Sequence, residues 1–130
     1  MLKRLVCVFV LATGAATTVF AHHSYAAYDR EHKVSVTGQL EQLTLGNPHA
    51  TLVVRTDEGT AFSVEWGNAF VLDRTGFTAG MLVVGDRVTV TGSQTWDASA
   101  HRMSLVTEIR RPRDGWRWSR DGVAVDRRAP

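Results

Sequence analysis

Hydrophobic and polar residues alternate through the middle of the chain, a pattern that predicts strands with one buried face. The first such run covers residues 34–45, and its apolar positions are even-numbered as far as Leu40 but odd-numbered from Leu43. One extra residue near Glu41-Gln42 would reconcile the two halves, so we expect a β-bulge that bends a long first strand. The sequence Gly46-Asn47-Pro48 is expected to end that strand in a turn.

The next runs predict a hairpin followed by a short helix. Residues 50–56 and 60–66 are two apolar-rich segments separated by Asp57-Glu58-Gly59, where the glycine can adopt the positive φ that hairpin turns need. Asn68 is a suitable N-cap for a short helix over residues 69–75, which would end before a glycine.

Two further strands are predicted after the helix. Residues 83–86 form a turn that leads into a strand over residues 87–92, and residues 96–101 form a loop before a last strand over 103–110. One face of that last strand is expected to carry Met103, Leu105, Thr107 and Ile109. Beyond Pro112 the alternation fails, and residues 122–130 are expected to be disordered.

This order of elements indicates an all-β fold with one short helix. Five strands with the helix between the third and the fourth are typical of a small Greek-key barrel of the oligonucleotide/oligosaccharide-binding (OB) type. A β-sandwich is the alternative, but it would need six or seven strands, and the bent first strand favours the barrel. The barrel domain is expected over residues 34–112, after an N-terminal extension of residues 22–33 and before a basic, partly disordered tail of residues 113–130.

The first 21 residues have the pattern of a cleaved signal peptide. Lys3 and Arg4 are followed by an apolar run over residues 5–12 and then by small residues as far as Ala21, where cleavage is predicted. A membrane anchor is the alternative, but the apolar run is much shorter than the ~20 residues that span a bilayer. We therefore expect an exported, periplasmic protein.

Removal of that segment changes the composition. The remaining chain has 13 basic and 13 acidic residues and no cysteine, which excludes a disulfide framework and a thiolate metal site. It contains no Gly-x-Ser-x-Gly motif and no glycine-rich phosphate loop. Glu41 and Glu65 lie on strands whose alternation points them outward, as solvated charges. We therefore expect a protein that is not an enzyme.

Histidines supply the most specific candidate chemistry. After cleavage the chain would begin with His22 and His23, whose ring nitrogens, with the free terminal amine, can chelate a metal ion. Nitrogen ligands of this kind favour Cu(II) before Zn(II). His49 is the expected third ligand, with His32 and His101 as outside candidates. The alternative is that the terminal histidines are simply solvated and that His49 is half-buried and hydrogen-bonded to the turn backbone.

The charges are unevenly distributed. Residues 25–109 carry ten acidic and six basic side chains, whereas the chain from Arg110 onward carries seven arginines and three aspartates. These arginines alternate with Trp116 and Trp118, a combination that can bind single-stranded nucleic acid or a membrane interface. Export argues against nucleic acid and favours phospholipid headgroups or the acidic body itself. The alternative is a solvated tail with one or two tryptophans packed against the barrel.

Three segments together resemble a known family. They are the predicted mature start His22-His23-Ser24-Tyr25-Ala26, the turn Asn47-Pro48-His49, and residues 74–92. They resemble a family of small exported bacterial proteins that is classified as a domain of unknown function, over about residues 20–112. The resemblance implies a signal peptide, a small β-barrel and a periplasmic location, and it includes the three candidate ligand histidines, but it implies no activity.

Two functional hypotheses follow. The first is a periplasmic binding or accessory protein that holds a metal ion, copper before zinc, through His22, His23 and His49. The second is a metal-free barrel that recognises a protein or envelope partner through its loops and basic tail. Only the first needs a chain that begins at His22.

Overall fold

A computed structural model describes residues 25–126, in which seven strands form one sheet. The strands and the helix are β1 (Val34–Thr44), β2 (Thr51–Arg55), β3 (Ala61–Glu65), α1 (Ala69–Arg74), β4 (Arg87–Gln94), β5 (Arg102–Arg111), β6 (Trp116–Ser119) and β7 (Gly122–Val125). Single 3-10 turns occur at Tyr25–Ala27 and Ala98–Ala100. The predicted signal peptide lies outside the described residues. No helix within residues 25–126 is long and apolar enough to cross a bilayer.

Five of the strands close into a barrel. β1 pairs with β2 and β4, β3 pairs with β2, and β5 pairs with β4, all antiparallel. The ring is completed by a short parallel pairing of β3 with β5, in which Val64 lies opposite Met103. The order around the ring is therefore β1-β2-β3-β5-β4, with α1 between β3 and β4. This arrangement confirms the predicted OB-like five-stranded barrel.

The bend in β1 allows one strand to serve two neighbours. Its first half pairs with β4 and its second half with β2, and the register shifts between Leu40 and Gln42, so that Glu41 is the bulged residue. Gly38 lies before this bulge, where a Cβ atom would overlap the carbonyl oxygen of Arg55. The bulge predicted from the change of parity is confirmed, and the missing side chain at residue 38 permits the close approach of β2.

The core fills the barrel and extends under α1. Its side chains are mostly aliphatic residues from β1 to β5, together with Leu72 from α1 and the rings of Trp66, Phe77, Trp116 and Trp118. The helix begins as predicted, because the side chain of Asn68 accepts a hydrogen bond from the N–H of Val71 at 2.9 Å. Burial of Leu72 in this core then attaches α1 to the barrel.

The predicted face of the last barrel strand is wrong for Leu105 and Thr107. Both are half-buried, whereas Val106 between them is buried. β5 has two extra residues opposite Gly92 of β4, and Leu105 adopts a φ of 50°. Because this irregularity interrupts the alternation, Val106 faces the core in place of Leu105 and Thr107.

The sheet also continues beyond residue 112. β6 pairs with β5 and β7 pairs with β6, outside the five-stranded ring. Trp116 and Trp118 point to one side of β6 and are buried, so they do not form an exposed aromatic surface for nucleic acid or lipid. The expectation of disorder from Gly122 onward is corrected by β7 at Gly122–Val125, while residues 127–130 lie outside the described part.

Ion pairs attach this hairpin to the barrel. The carboxylate of Asp86 is buried, and it accepts a hydrogen bond from Arg111 at 2.7 Å and lies 3.0 Å from the guanidinium of Arg113. Arg111 also pairs with Asp114 and lies over the ring of Trp116. Arg111 and Arg113 therefore neutralise specific carboxylates.

Candidate functional site

The chain just after the predicted mature terminus is held against the connection between β4 and β5. Tyr28 forms an isolated bridge with Thr95. The backbone N–H of Trp96 donates to the carbonyl of Ala27 at 3.0 Å, and the indole N–H of the same tryptophan donates to Ala26 at 3.0 Å. These bonds fix the position at which the N-terminal segment meets the barrel.

His49 follows the turn after β1 and pairs with a carboxylate. Its Nε2 lies 3.2 Å from Oε1 of Glu65, and the two side chains are 29% and 16% exposed. A hydrogen bond from the ring to the turn backbone, the alternative expected from the sequence, is not among the contacts of the described residues. Because the carboxylate lies beside Nε2, Nδ1 is the nitrogen that remains for a metal ion.

The strand position of Glu65 predicts an outward, solvated charge, whereas the structure places it beside His49. The signal that could have found the pair is the register of the β2–β3 hairpin. Glu65 lies opposite Thr51, and Thr51 follows His49 by only two residues. A carboxylate at the end of β3 therefore falls within reach of a side chain at the start of β2.

A first cavity, the Glu65 cleft, has His49 in its wall. It has a volume of about 280 Å³ and is lined by Tyr28, Pro48, His49, Thr51, Ser63, Glu65, Arg102 and Met103. Burial raises the pKa of the Tyr28 hydroxyl, an effect that Arg102 opposes and Glu65 reinforces. The phenol therefore stays protonated at neutral pH and can donate a hydrogen bond.

A second cavity, the Trp66 cleft, also has His49 in its wall. It has a volume of about 220 Å³ and is lined by Tyr25, His49, Trp66, Gly67, Asn68, Val71, Ser104, Leu105, Val106, Trp118 and Arg120. The junction of β3 with α1, the irregular part of β5 and the end of β6 together form its walls. His49 is thus shared by two clefts of different chemistry.

The other predicted site residues are distributed differently. His22 and His23 lie outside the described residues. His32 is exposed and its Nδ1 lies 3.0 Å from Asp29. His101 ends the second 3-10 turn and packs edge-on against Phe62, with ring centroids 5.2 Å apart.

Within residues 25–126, no three histidine, aspartate or glutamate side chains are close enough together to hold a metal ion. The predicted three-histidine site therefore depends on residues before Tyr25. His49 and Glu65 form the part of that site that the described residues can supply.

The fold and the clefts define a small OB-like barrel protein with a strand hairpin added to one side of the ring. The chain belongs to the family described as "Family of unknown function (DUF6152)", whose model matches residues 10–104. Membership in a family of unknown function, inferred above from a resemblance, is confirmed. The match covers His49 and Glu65 and ends before β6. No curated protein matches the chain.

Proposed function

We propose that this protein is a non-catalytic, exported binding or accessory protein that acts in the periplasm and holds one metal ion, Cu(II) before Zn(II). The ligands are the terminal amine formed by cleavage after Ala21, the first two histidines, and His49. The observation that carries the proposal is that Tyr25 and His49 line the same cleft. The chain therefore enters the described structure beside the third histidine.

Chain geometry supports the approach of the ligands. Two peptide units separate His23 from Tyr25, so their Cα atoms lie within about 7.6 Å of each other. The hydrogen bonds of Ala26 and Ala27 to Trp96 hold the start of the described chain in place. A short, anchored connection lowers the entropy lost when terminal ligands meet a fixed one.

The His49–Glu65 pair supports the ligand role of His49. Metal-binding histidines commonly donate their second ring N–H to a carboxylate, which fixes the tautomer and makes the ligating nitrogen more basic. Oε1 of Glu65 lies 3.2 Å from Nε2, so Nδ1 is the ring nitrogen that remains for coordination. Nitrogen donors bind Cu(II) more tightly than they bind the other divalent first-row metals, so we expect Cu(II) to be preferred to Zn(II).

Calorimetric titration with Cu(II) tests the proposal on protein whose N-terminus has been identified as His22 by intact mass. We expect about one Cu(II) per chain, with affinity falling as pH decreases through the histidine range, because protons compete for the same nitrogens. One residue added before His22 should sharply weaken binding, and His49→Ala should do the same. His101→Ala is the matched control and should have little effect.

Each outcome separates one version of the site from another. Weakening by His23→Ala with no effect of His49→Ala would indicate a chelate of amine, backbone amide and imidazole that does not use His49. Undiminished binding by the extended chain would indicate an ordinary surface histidine cluster. Retention of residues 1–21 in exported material, or no binding by the native chain, would contradict the proposal.

Recognition of a protein or envelope partner without a metal is the second candidate. Exposed apolar side chains on two parts of the barrel support it, since Phe70 on α1 is 70% exposed and Val84 before β4 is 61% exposed. Large exposed apolar residues are used at interfaces between proteins. The same titration distinguishes the two candidates, because only the metal site responds to the chemistry of the N-terminus.

A further inference from the structure

The side chains on the wall of the Trp66 cleft include groups that only donate hydrogen bonds but none that only accepts them. Its lining contains no aspartate or glutamate. Arg120 and the indole of Trp66 can only donate. The side-chain oxygen of Asn68 already accepts from the N–H of Val71, so its amide nitrogen is the end that remains for a ligand. Such a lining favours a ligand that accepts hydrogen bonds and carries negative charge.

The cation at the cleft is not neutralised by a neighbouring carboxylate. None of the ion pairs recorded among the described residues includes Arg120, whereas Arg117 on the same hairpin lies 3.7 Å from Glu108. Arg120 is exposed and can therefore meet an anion that enters from solvent. A guanidinium binds a carboxylate through two parallel hydrogen bonds, which gives orientation as well as affinity.

The indole of Trp66 is an unsatisfied donor. Trp66 is 4% exposed, and its Nε1 has no hydrogen-bond partner in the part of the chain that the structure describes. Trp118, the other indole on the cleft, instead donates to the hydroxyl of Thr75 at 2.8 Å. Among the described residues, Nε1 of Trp116 and Nδ1 of His101 are also unpaired, and of these three side chains only that of Trp66 lines this cleft. Buried donors are almost always paired in folded proteins, so an acceptor bound in the cleft would satisfy Trp66.

The backbone of β5 is strained at the same cleft. Leu105 has a φ of 50° although it is not a glycine, and it lies where β5 carries two extra residues relative to β4. Positive φ in a residue of this kind costs free energy and is found preferentially at binding sites. The irregularity places Leu105 on the cleft wall instead of in the barrel core.

We propose that the Trp66 cleft binds a small organic carboxylate, with the anion held by Arg120 and Trp66. The apolar body of the ligand lies against the other walls, which include Val71, Leu105 and the ring of Trp118. The volume of about 220 Å³ lies below the range of about 300–1,000 Å³ typical of drug-sized ligands, which selects a small molecule. This site needs no metal and does not depend on the function proposed above.

Benzoate is a suitable probe, because it combines one carboxylate with a compact apolar ring. The protein, expressed from the full sequence and freed of metal ions on a chelating resin, would be titrated in metal-free buffer while the indole N–H signals of its four tryptophans are followed by heteronuclear NMR. We expect a saturable shift of the Trp66 signal and little change for Trp96, whose N–H is already bonded to Ala26. Trp→Phe substitutions assign the signals.

Two substitutions and two further probes make the test specific. Arg120→Gln should weaken benzoate binding by about tenfold or more, the loss expected for a charged hydrogen bond. Arg117→Gln, at an exposed arginine outside the cleft lining, is the matched control and should bind as the parent does. Benzyl alcohol lacks the charge and inorganic phosphate lacks the apolar body, so each should bind at least about tenfold more weakly than benzoate.

Three results would overturn the proposal. They are the absence of a saturable Trp66 shift with millimolar benzoate, equal binding of benzyl alcohol, and unchanged benzoate affinity in Arg120→Gln. Stronger binding of phosphate than of benzoate would also contradict it, since the cleft would then be a simple anion site. Because the protein is free of metal ions throughout, a failure of the metal site leaves this result unaffected.

Discussion

Replacing Trp118 with alanine tests whether the β6–β7 hairpin belongs to the core of this domain. Trp118 is 1% exposed and packs edge-to-face against Trp66, with ring centroids 5.0 Å apart. Its indole N–H donates to the hydroxyl of Thr75 at 2.8 Å, and the backbone N–H of Val123 donates to the carbonyl of Thr75 at 3.0 Å. Trp118 therefore connects the added hairpin to both the barrel and the end of α1.

The size of the effect follows from what the substitution removes. Truncation of a buried tryptophan to alanine costs about 3–5 kcal/mol, through lost burial and the cavity that remains. This figure already contains most of the aromatic contact and the hydrogen bond, because such terms are not additive. The hydroxyl of Thr75 keeps an acceptor in the carbonyl of Val71 or Leu72, so no buried donor is left unpaired. We expect a loss of about 4 kcal/mol in the free energy of unfolding.

Urea unfolding followed by far-ultraviolet circular dichroism measures this loss. For a domain of this size, a loss of about 4 kcal/mol also lowers the Tm by about 15 °C or more. Trp96→Ala is the matched control, because Trp96 is 66% exposed and its side chain makes one hydrogen bond, to Ala26. Its cost should be about 1 kcal/mol or less. Equal losses in the two variants would refute the placement of Trp118 in the core.

Two further changes test other parts of the fold. Burial raises the pKa of the Asp86 carboxyl, but a backbone N–H and the guanidinium of Arg111 outweigh this and hold it below its usual range. The ionised Asp86 carboxylate therefore stabilises the fold above pH ~4, and this stabilisation is lost as the pH falls further. Asp86→Asn should lower the free energy of unfolding in urea by about 3 kcal/mol at pH 7 and by progressively less below pH ~4. Gly38→Ala should lower stability by about 2 kcal/mol in thermal unfolding, because its Cβ would overlap the carbonyl oxygen of Arg55. Gly46→Ala, with no atom near the added Cβ, should change stability by less than about 0.5 kcal/mol, and equal effects of the two glycine changes would contradict the close approach.

The barrel could be predicted because its local signals agree with its tertiary structure. A change of parity in β1 corresponds to a bulge at Glu41, and Gly59 has the positive φ, 87°, that its turn needs. Asn68 caps α1 as its side chain allows. In each case a property of one or two residues determines the local backbone, and the tertiary contacts favour the same conformation.

The added hairpin was missed because its stabilising contacts are distant in the sequence. Two buried tryptophans separated by one arginine are too short a pattern to predict a strand against an arginine-rich composition. The charges that suggested a solvated tail are largely paired, since Arg111 contacts Asp86, which lies 25 residues earlier, and Arg117 lies near Glu108. Composition counts charges but contains no information on which of them meet.

The candidate site shows the same division between local and distant information. A histidine after a proline-containing turn could be selected from the sequence as His49, because that choice needs only residue type and position. Its partner Glu65 required the register of β2 with β3, and the irregularity at Leu105 required the pairing of β5 with β4. The free N–H of Trp66 becomes visible only once the whole core is assembled, since a donor is unsatisfied only relative to every acceptor around it. Sequence patterns can therefore identify candidate binding residues on this barrel. The clefts in which those residues would bind a molecule arise from contacts between strands.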